Sequence, residues 1–215
     1  MTSNEKDSMP EIVCKESGPY IVSNVRRMTD TRGEAVPAQA VMALCRCGKS
    51  GKKPFCDGSH VKAGFSGEND IKRRTADRKD TYTGQHIRIH DNRGLCAHAG
   101  VCTAKLATVF RMKLEPWIDP DQATVEEIKA VIDKCPSGAL SYIIDGEPQS
   151  FQNPEAILNV LPDGPYEIIG DIEISEVNLL QGASKNIRTL CRCGHSNNKP
   201  FCDGSHWSAG FKDTC

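Results

Sequence analysis

The chain has 215 residues, 27 basic against 28 acidic, with a formal net charge of -1 and a hydrophobic fraction of 38%. That balance offers no field to draw nucleic acid or an anionic membrane surface, and no stretch approaches the apolar length that spans a bilayer. Eleven cysteines, an odd count clustered with histidines, read as metal ligands in a reducing compartment rather than as a secreted disulfide framework.

The opening MTSNEKDSMPEIV has no apolar core of a secretory leader, and its acidic residues disfavour a mitochondrial transit peptide. A cytoplasmic protein without membrane association is expected, with residues 1–17 as an N-terminal tail. Cys14 and Cys215, near the ends, read as spare, partly exposed thiols.

The first module, residues 18–65, opens with GPYIVSNV and continues through alternating apolar stretches at Tyr20-Ile21-Val22 and Val41–Leu44, which predict strands. It then reads CRCGKSGKKPFCDGSH from Cys45 to His60. Cys45 and Cys47 are one residue apart, so an extended or turned backbone lets both sulfurs pinch one metal. Cys56 and His60 are spaced i and i+4, which predicts one face of a single helical turn. Asp57 is placed to cap the first amides of that turn, and Gly58 permits close backbone approach. Three thiolates and one imidazole fit a structural zinc or an iron–sulfur cluster, and a single intervening residue is tighter than the usual zinc knuckle.

Residues 66–84 are dense in charge and lack periodicity, which predicts an exposed linker. Lys72, Arg73, Arg74, Arg78 and Lys79 read as a solvated run, with a docking patch for an acidic redox partner as the alternative. Order returns in residues 85–150. His86-Ile87-Arg88-Ile89-His90 alternates as a half-exposed strand, with both histidines at the surface. LCAHAGVC follows, and Cys135-Pro136-Ser137-Gly138-Ala139-Leu140 comes later.

Ferredoxin loops place cysteines at i, i+3 and i+6 and return another ligand from a distant Cys-Pro. Here Cys96 is i, Cys102 is i+6 and Cys135 returns. Ala99 stands at i+3 and Leu106 at the position that would serve a second cluster, so one cluster is expected. With Pro116-Trp117-Ile118, this region resembles the divergent single-cluster ferredoxins. Three thiolates suit a 3Fe-4S cluster directly, whereas 4Fe-4S needs a further ligand, for which His98 is the nearest candidate. Thr124-Val125-Glu126-Glu127 predicts a capping box for a helix that carries Val125, Ile128, Val131 and Ile132 inward and ends near Cys135. Leu140–Ile144 predicts a closing strand. Asn153-Pro154 then predicts a connecting helix within residues 151–163, running through Ile157, Val160 and Leu161.

The second module, residues 164–215, repeats the first. GPYEIIGD starts at Gly164, and CRCGHSNNKPFCDGSH runs from Cys191 to His206. The offset is constant: 164 - 18 = 146, 191 - 45 = 146 and 211 - 65 = 146. Ile168-Ile169, Ile172–Ile174 and Ile187–Leu190 predict strands. Both copies resemble the CDGSH iron–sulfur (mitoNEET-type) family in the Cys-x-Cys pair, the Ser, the Pro and the Cys-Asp-Gly-Ser-His run. That resemblance implies a 2Fe-2S cluster in each module, with Cys45 and Cys47 on one iron and Cys56 and His60 on the other, and Cys191, Cys193, Cys202 and His206 repeating the set. Single-copy relatives are homodimers, so the resemblance also implies that one chain makes this pairing with itself.

The expected fold is therefore α+β: two small β-rich modules joined as an intramolecular pseudo-dimer in a monomer, with a ferredoxin-like α+β domain between them. A module of about fifty residues buries little core alone, so ligation and pairing must supply much of its stability. The expected function is electron transfer by two 2Fe-2S clusters and one 3Fe-4S or 4Fe-4S cluster, without catalysis, toward unidentified redox partner proteins. Cluster storage, delivery to apo acceptors or redox sensing is the alternative within the same chemistry. A zinc-stabilised interaction module is the alternative outside it. Imidazole in place of one thiolate makes the outer sites less negative, so electrons are expected to run from the middle cluster to the outer two.

Overall fold

The structure is a computed structural model that describes residues 9–68, 79–149, 155–175, 184 and 186–213. In the first module, β1 (Glu11–Cys14), β2 (Tyr20–Ser23), β3 (Arg27–Thr29), β4 (Ala35–Val36) and β5 (Val41–Leu44) precede a single helical turn, α1 (Ser59–Lys62). The middle region contributes β6 (Lys79–Thr83), β7 (Ile87–Asn92), α2 (Val101–Lys105), α3 (Val125–Ile132), β8 (Leu140–Ile144) and β9 (Glu147–Gln149). The second module has β10 (Ile157–Val160), β11 (Tyr166–Ile169), β12 (Glu173–Ser175), β13 (Ile187–Leu190) and the turn α4 (Ser205–Ser208). No helix among the described residues is long and apolar enough to cross a membrane.

The two modules exchange strands. One sheet runs β12-β1-β2-β5 and the other β13-β11-β10-β3-β4. Adding the offset maps β1 on β10 (11 + 146 = 157) and β3 on β12 (27 + 146 = 173). The parallel pair β1 with β12, Glu11 opposite Glu173, is thus the mirror of β10 with β3, Ile157 opposite Arg27. Each module's third strand, β3 or β12, crosses to the other module's sheet and pairs with that module's first strand. Neither sheet is closed by its own sequence, and one core serves both: Ile12, Tyr20, Val22, Met28 and Leu44 pack with Leu158, Tyr166, Ile168, Ile174 and Leu190.

Two expectations are corrected here. The tail is not structureless, because residues 11–14 form β1 and bury Ile12 and Cys14; the latter is 4% exposed in the shared core rather than a spare surface thiol. The connecting helix within 151–163 is a strand, β10, flanked on both sides by β11 and β3. Asn153-Pro154, which carried the helix reading, lies outside the described residues, as do Cys215 and the charged positions Lys72, Arg73, Arg74 and Arg78. Lys79 belongs to β6, so the charged stretch ends in a strand paired with β7 from Lys79 opposite Asn92.

The middle domain is an antiparallel meander, β6-β7-β8-β9, covered by α2 and α3. The capping box is present: the Thr124 hydroxyl accepts from the Glu127 amide and the Glu127 carboxylate accepts from the Thr124 amide. Ile128, Val131 and Ile132 then face a second core with Ile87, Ile89, Phe110, Ile118 and Tyr142. Leu106 packs at the edge of that core.

Candidate metal centres

In the first module β5 delivers Cys45 into a loop that is folded back on the strand. The Cys45 amide donates to Pro54 O (2.8 Å) and the Cys56 amide to Ala43 O (2.8 Å). The Cys45 and Cys47 sulfurs stand 3.8 Å apart, and Cys56 Sγ lies 3.4 Å from His60 Nδ1. The second module reproduces both values, 3.8 Å for Cys191 with Cys193 and 3.5 Å for Cys202 with His206 Nδ1. Two sulfurs bonded at about 2.3 Å to one tetrahedral metal ion stand about 3.8 Å apart, and a sulfur and an imidazole nitrogen about 3.5 Å. Each pair therefore has the bite of a chelate. The eight donors stand as four close pairs, two to a module.

One detail departs from the sequence reading. Cys56 and His60 do not share a continuous helical turn, because α1 starts only at Ser59. Gly58 before it is left-handed at φ 87°, a conformation open to glycine, and this reversal swings the imidazole back onto the thiol. Asp57 pins the reversal: its carboxylate accepts from the amides of Ser59 (3.0 Å) and Gly51 (2.8 Å). The Ser59 hydroxyl first, and then these two amides, hold the Asp57 carboxyl far below the usual carboxylate range. Backbone amides of Lys49 and Gly58 point at the Cys47 and Cys56 sulfurs, as those of His195 and Gly204 do at Cys193 and Cys202. They suit thiolates better than thiols.

Tyrosines tie each loop to the other module. The Tyr20 hydroxyl donates to Cys191 O (2.9 Å) and lies 3.1 Å from Pro200 O, while the Tyr166 hydroxyl reaches Cys45 O (2.8 Å) and Pro54 O (3.0 Å). The rings meet edge to face at 6.0 Å. The loops also touch directly: a Cβ on Gly48 would fall 2.5 Å from Cys193 O, and one on Gly194 2.7 Å from Cys47 O. Arg46 and Arg192 back the loops from below, the latter fully buried and ion-paired with Asp213. Sequence reading missed these four side chains, although each recurs at the 146-residue offset, which was the available signal.

Cys96, Cys102 and Cys135 come together around one cavity of about 410 Å3, counting its open mouth, lined also by Arg93, His98, Trp117 and Pro136. A 3-10 turn at Arg93–Leu95 presents Cys96, α2 carries Cys102, and the end of α3 hands over Cys135, whose amide donates to Ile132 O (2.8 Å). Burial pushes the Cys96 thiol up and the Cys102 thiol up to about 11. Arg93 sits 4.2 Å over the Trp117 ring, pairs with the buried Asp91 (2.7 Å) and approaches Cys96 Sγ. Trp117 thus belongs to the wall of this site as well as to the core. Arg93 brings the positive charge that an anionic group there requires.

His98 is at φ 53°, its amide aimed at Cys96 Sγ (3.4 Å). Its ring lies against the second module, where a Cβ on Gly204 would stand 2.4 Å from His98 Cδ2, and His98 also lines the cavity of the three cysteines. The Trp207 indole donates to His98 O (3.2 Å), and Asn198 Nδ2 donates to Gly94 O (2.8 Å). The middle domain is therefore docked on the second module's cluster loop. Cys202 is 3% and His206 6% exposed, whereas Cys56 and His60 are half-buried. Burial pushes the His206 imidazole down, and the nearby His98 adds to this. Burial likewise pushes the Cys202 thiol up, and neighbouring Cys191, Asp203 and Cys96 add their charge.

This donor chemistry fits an iron–sulfur protein. Family models match accordingly: "Iron-binding zinc finger CDGSH type" over residues 17–61 and 163–207, and "Divergent 4Fe-4S mono-cluster" over residues 82–145. The "Uncharacterized protein YjdI" of Escherichia coli K12 and that of Escherichia coli O157:H7 are each 44% identical over 61 residues, 28% of this chain and 80% of theirs. No solved structure matches. The chain thus carries two CDGSH iron-binding domains that flank a divergent 4Fe-4S mono-cluster domain.

Proposed function

We propose that the protein is an electron carrier, not a catalyst, that holds three clusters. Cys45, Cys47, Cys56 and His60 would hold one 2Fe-2S cluster and Cys191, Cys193, Cys202 and His206 another. Cys96, Cys102 and Cys135 would hold a 3Fe-4S or 4Fe-4S cluster. When bound, such clusters supply one-electron storage at three places in one body. The observation that carries this reading is adjacency: His98, two residues from Cys96, lies against Gly204, two residues from Cys202, and the two outer loops meet at Gly48 and Gly194.

The chain's own residues set the order. A neutral imidazole at His60 and His206 in place of a fourth thiolate leaves the outer sites about one charge less negative than an all-cysteine set, which favours reduction there. Arg93, outside the ligand set, favours reduction at the middle site too, and so narrows the difference that the imidazoles create without supplying a neutral ligand. Donor pairing favours a dinuclear centre over zinc, since a structural zinc draws all four donors onto one ion. Redox titration followed by EPR tests the reading. The middle site is expected at the more negative potential; a middle site at the more positive potential, or sites that take up no electrons, overturns it.

Cluster delivery is the second reading, favoured by the half-buried Cys56 and His60 of the first module alone. Incubation of the loaded protein with an apo ferredoxin separates the two. Retention of the cluster while the acceptor stays empty supports carriage.

A further inference from the structure

The two modules share ligands but not neighbours, and the difference marks a surface. In the second module Ile187, Asn198, Gly204 and Trp207 meet the middle domain: Ile187 O against Gly138, Asn198 on Gly94 O, Gly204 on the His98 ring and Trp207 on His98 O. Subtracting 146 gives their counterparts in the first module, Val41, Lys52, Gly58 and Val61. There Val41 is 58% exposed against 8% for Ile187, and a Cβ on Gly58 would meet nothing within 4 Å, whereas Val61 (75%) and Trp207 (66%) are both exposed and differ in that only Trp207 bonds to the middle domain. The same face that is covered over His206 is bare beside His60.

Its chemistry has also changed. The positions equivalent to His195, Asn198 and Ser208 are Lys49, Lys52 and Lys62, all exposed and none in an ion pair among the described residues. Lys53, whose ammonium donates to Ser50 O (2.8 Å), adds a fourth cation to the rim. Two exposed valines and three exposed lysines that the second module lacks, in the same module as a half-buried imidazole, give this face apolar and positive character. Long-range attraction of that sign steers a partner of opposite charge and is screened by salt.

We propose that this face of the first module is the docking site of an acidic one-electron redox protein, which would occupy the place that the middle domain takes on the second module. The proposal rests on the electron-carrier reading for the partner's chemistry, and on charge and internal symmetry for the place. On this view the second module faces inward to the middle domain and the first faces outward.

The test uses the full, cluster-loaded chain and an acidic flavodoxin as probe, with binding measured by titration calorimetry at low and high salt. The triple variant Lys49→Glu, Lys52→Glu, Lys62→Glu keeps the backbone contacts of its loop, and unchanged visible absorption verifies its clusters. At low salt it is expected to bind flavodoxin at least tenfold more weakly than wild type, with the difference closing at high salt. Reversal of Lys113, Lys129 and Lys134 on the middle domain is expected to leave binding unchanged. Equal affinity for wild type and the first variant overturns the proposal, as does equal loss in the control, no wild-type binding at low salt, or tighter binding to phosphatidylserine vesicles than to flavodoxin.

A parallel assay separates this from the underlying function. Dithionite-reduced protein is mixed with ferricyanide, each electron lost by the protein turning one ferricyanide into ferrocyanide. Charge-sensitive binding without oxidation by ferricyanide retains the docking face and removes electron carriage. Oxidation with charge-insensitive binding does the reverse.

Discussion

The two CDGSH modules carry the same four candidate ligands at the same spacings, yet the middle domain packs on one, whose Cys202 and His206 are buried, and not on the other, whose Cys56 and His60 are half-buried. The parts they hold in common, the tyrosine hydroxyls on the opposite loop and the crossed strands, belong to the pairing of the modules. The parts in which they differ, Lys52 against Asn198 and Val61 against Trp207, belong to what each module meets. The identity of the four donors alone therefore does not fix the surroundings of a site in this chain. The surroundings of His60 and His206 distinguish them.

The largest expected effect probes what the modules share. Gly48 and Gly194 are left-handed, at φ 75° and 84°, and each faces the backbone carbonyl of the opposing Cys193 or Cys47. A methyl group at either position strains the turn and pushes the loops apart, and a cost of roughly 3 kcal/mol or more is expected from overpacking and strain together. Thermal or denaturant unfolding of Gly48→Ala and Gly194→Ala should give similar losses. A large loss at one and none at the other would break the internal symmetry.

A smaller effect probes where they part. Gly58 and Gly204 are also left-handed, at φ 87° and 84°, so Ala at either carries a conformational cost of about 1 kcal/mol. Only Gly204 has the His98 ring against it. Gly204→Ala should therefore be the more damaging, and combining it with His98→Ala should remove most of the excess while leaving Gly58→Ala unaffected. Equal losses at the two positions would mean that the middle domain does not press on the second loop.

The smallest effect concerns the metal-free chain. Burial lifts the Cys102 thiol to about 11, above the usual thiol value of about 8.5. The folded apo protein thus prefers the neutral thiol, and its contribution is fully present below about pH 8.5 and lost as pH rises toward about 11. Apo stability should decline across that window. Loading requires the thiolate, so metal removal by a chelator should become harder over the same rise in pH.

Much of this was legible in the chain because ligands must be specific residues at fixed intervals: Cys45, Cys47, Cys56 and His60 can be read from spacing, and the constant offset exposes their copies. The Thr124–Glu127 capping box is a local signal, and α3 follows it as expected. The first strands were not legible. Glu11–Cys14 and Ile157–Val160 are four residues each, too short to show a period, and their flanking partners include a strand of the other module. Asn153-Pro154 carried the pattern of a helix start, but the open edges of β3 and β11 recruit Ile157–Val160 into a sheet, since strand formation depends on neighbours more than on local preference. The docking of the middle domain on one module alone was likewise invisible locally. Its trace lay in the mismatches between repeats, where lysines in the first copy stand opposite His195, Asn198 and Ser208 in the second.

The most direct measurement is the iron, acid-labile sulfide and zinc content of protein purified without oxygen, joined with its EPR spectrum. Two dinuclear clusters and one 3Fe-4S or 4Fe-4S cluster amount to about seven or eight irons and about eight sulfides per chain, and that is the expected result. A colourless preparation with zinc in the CDGSH modules and no labile sulfide would contradict it.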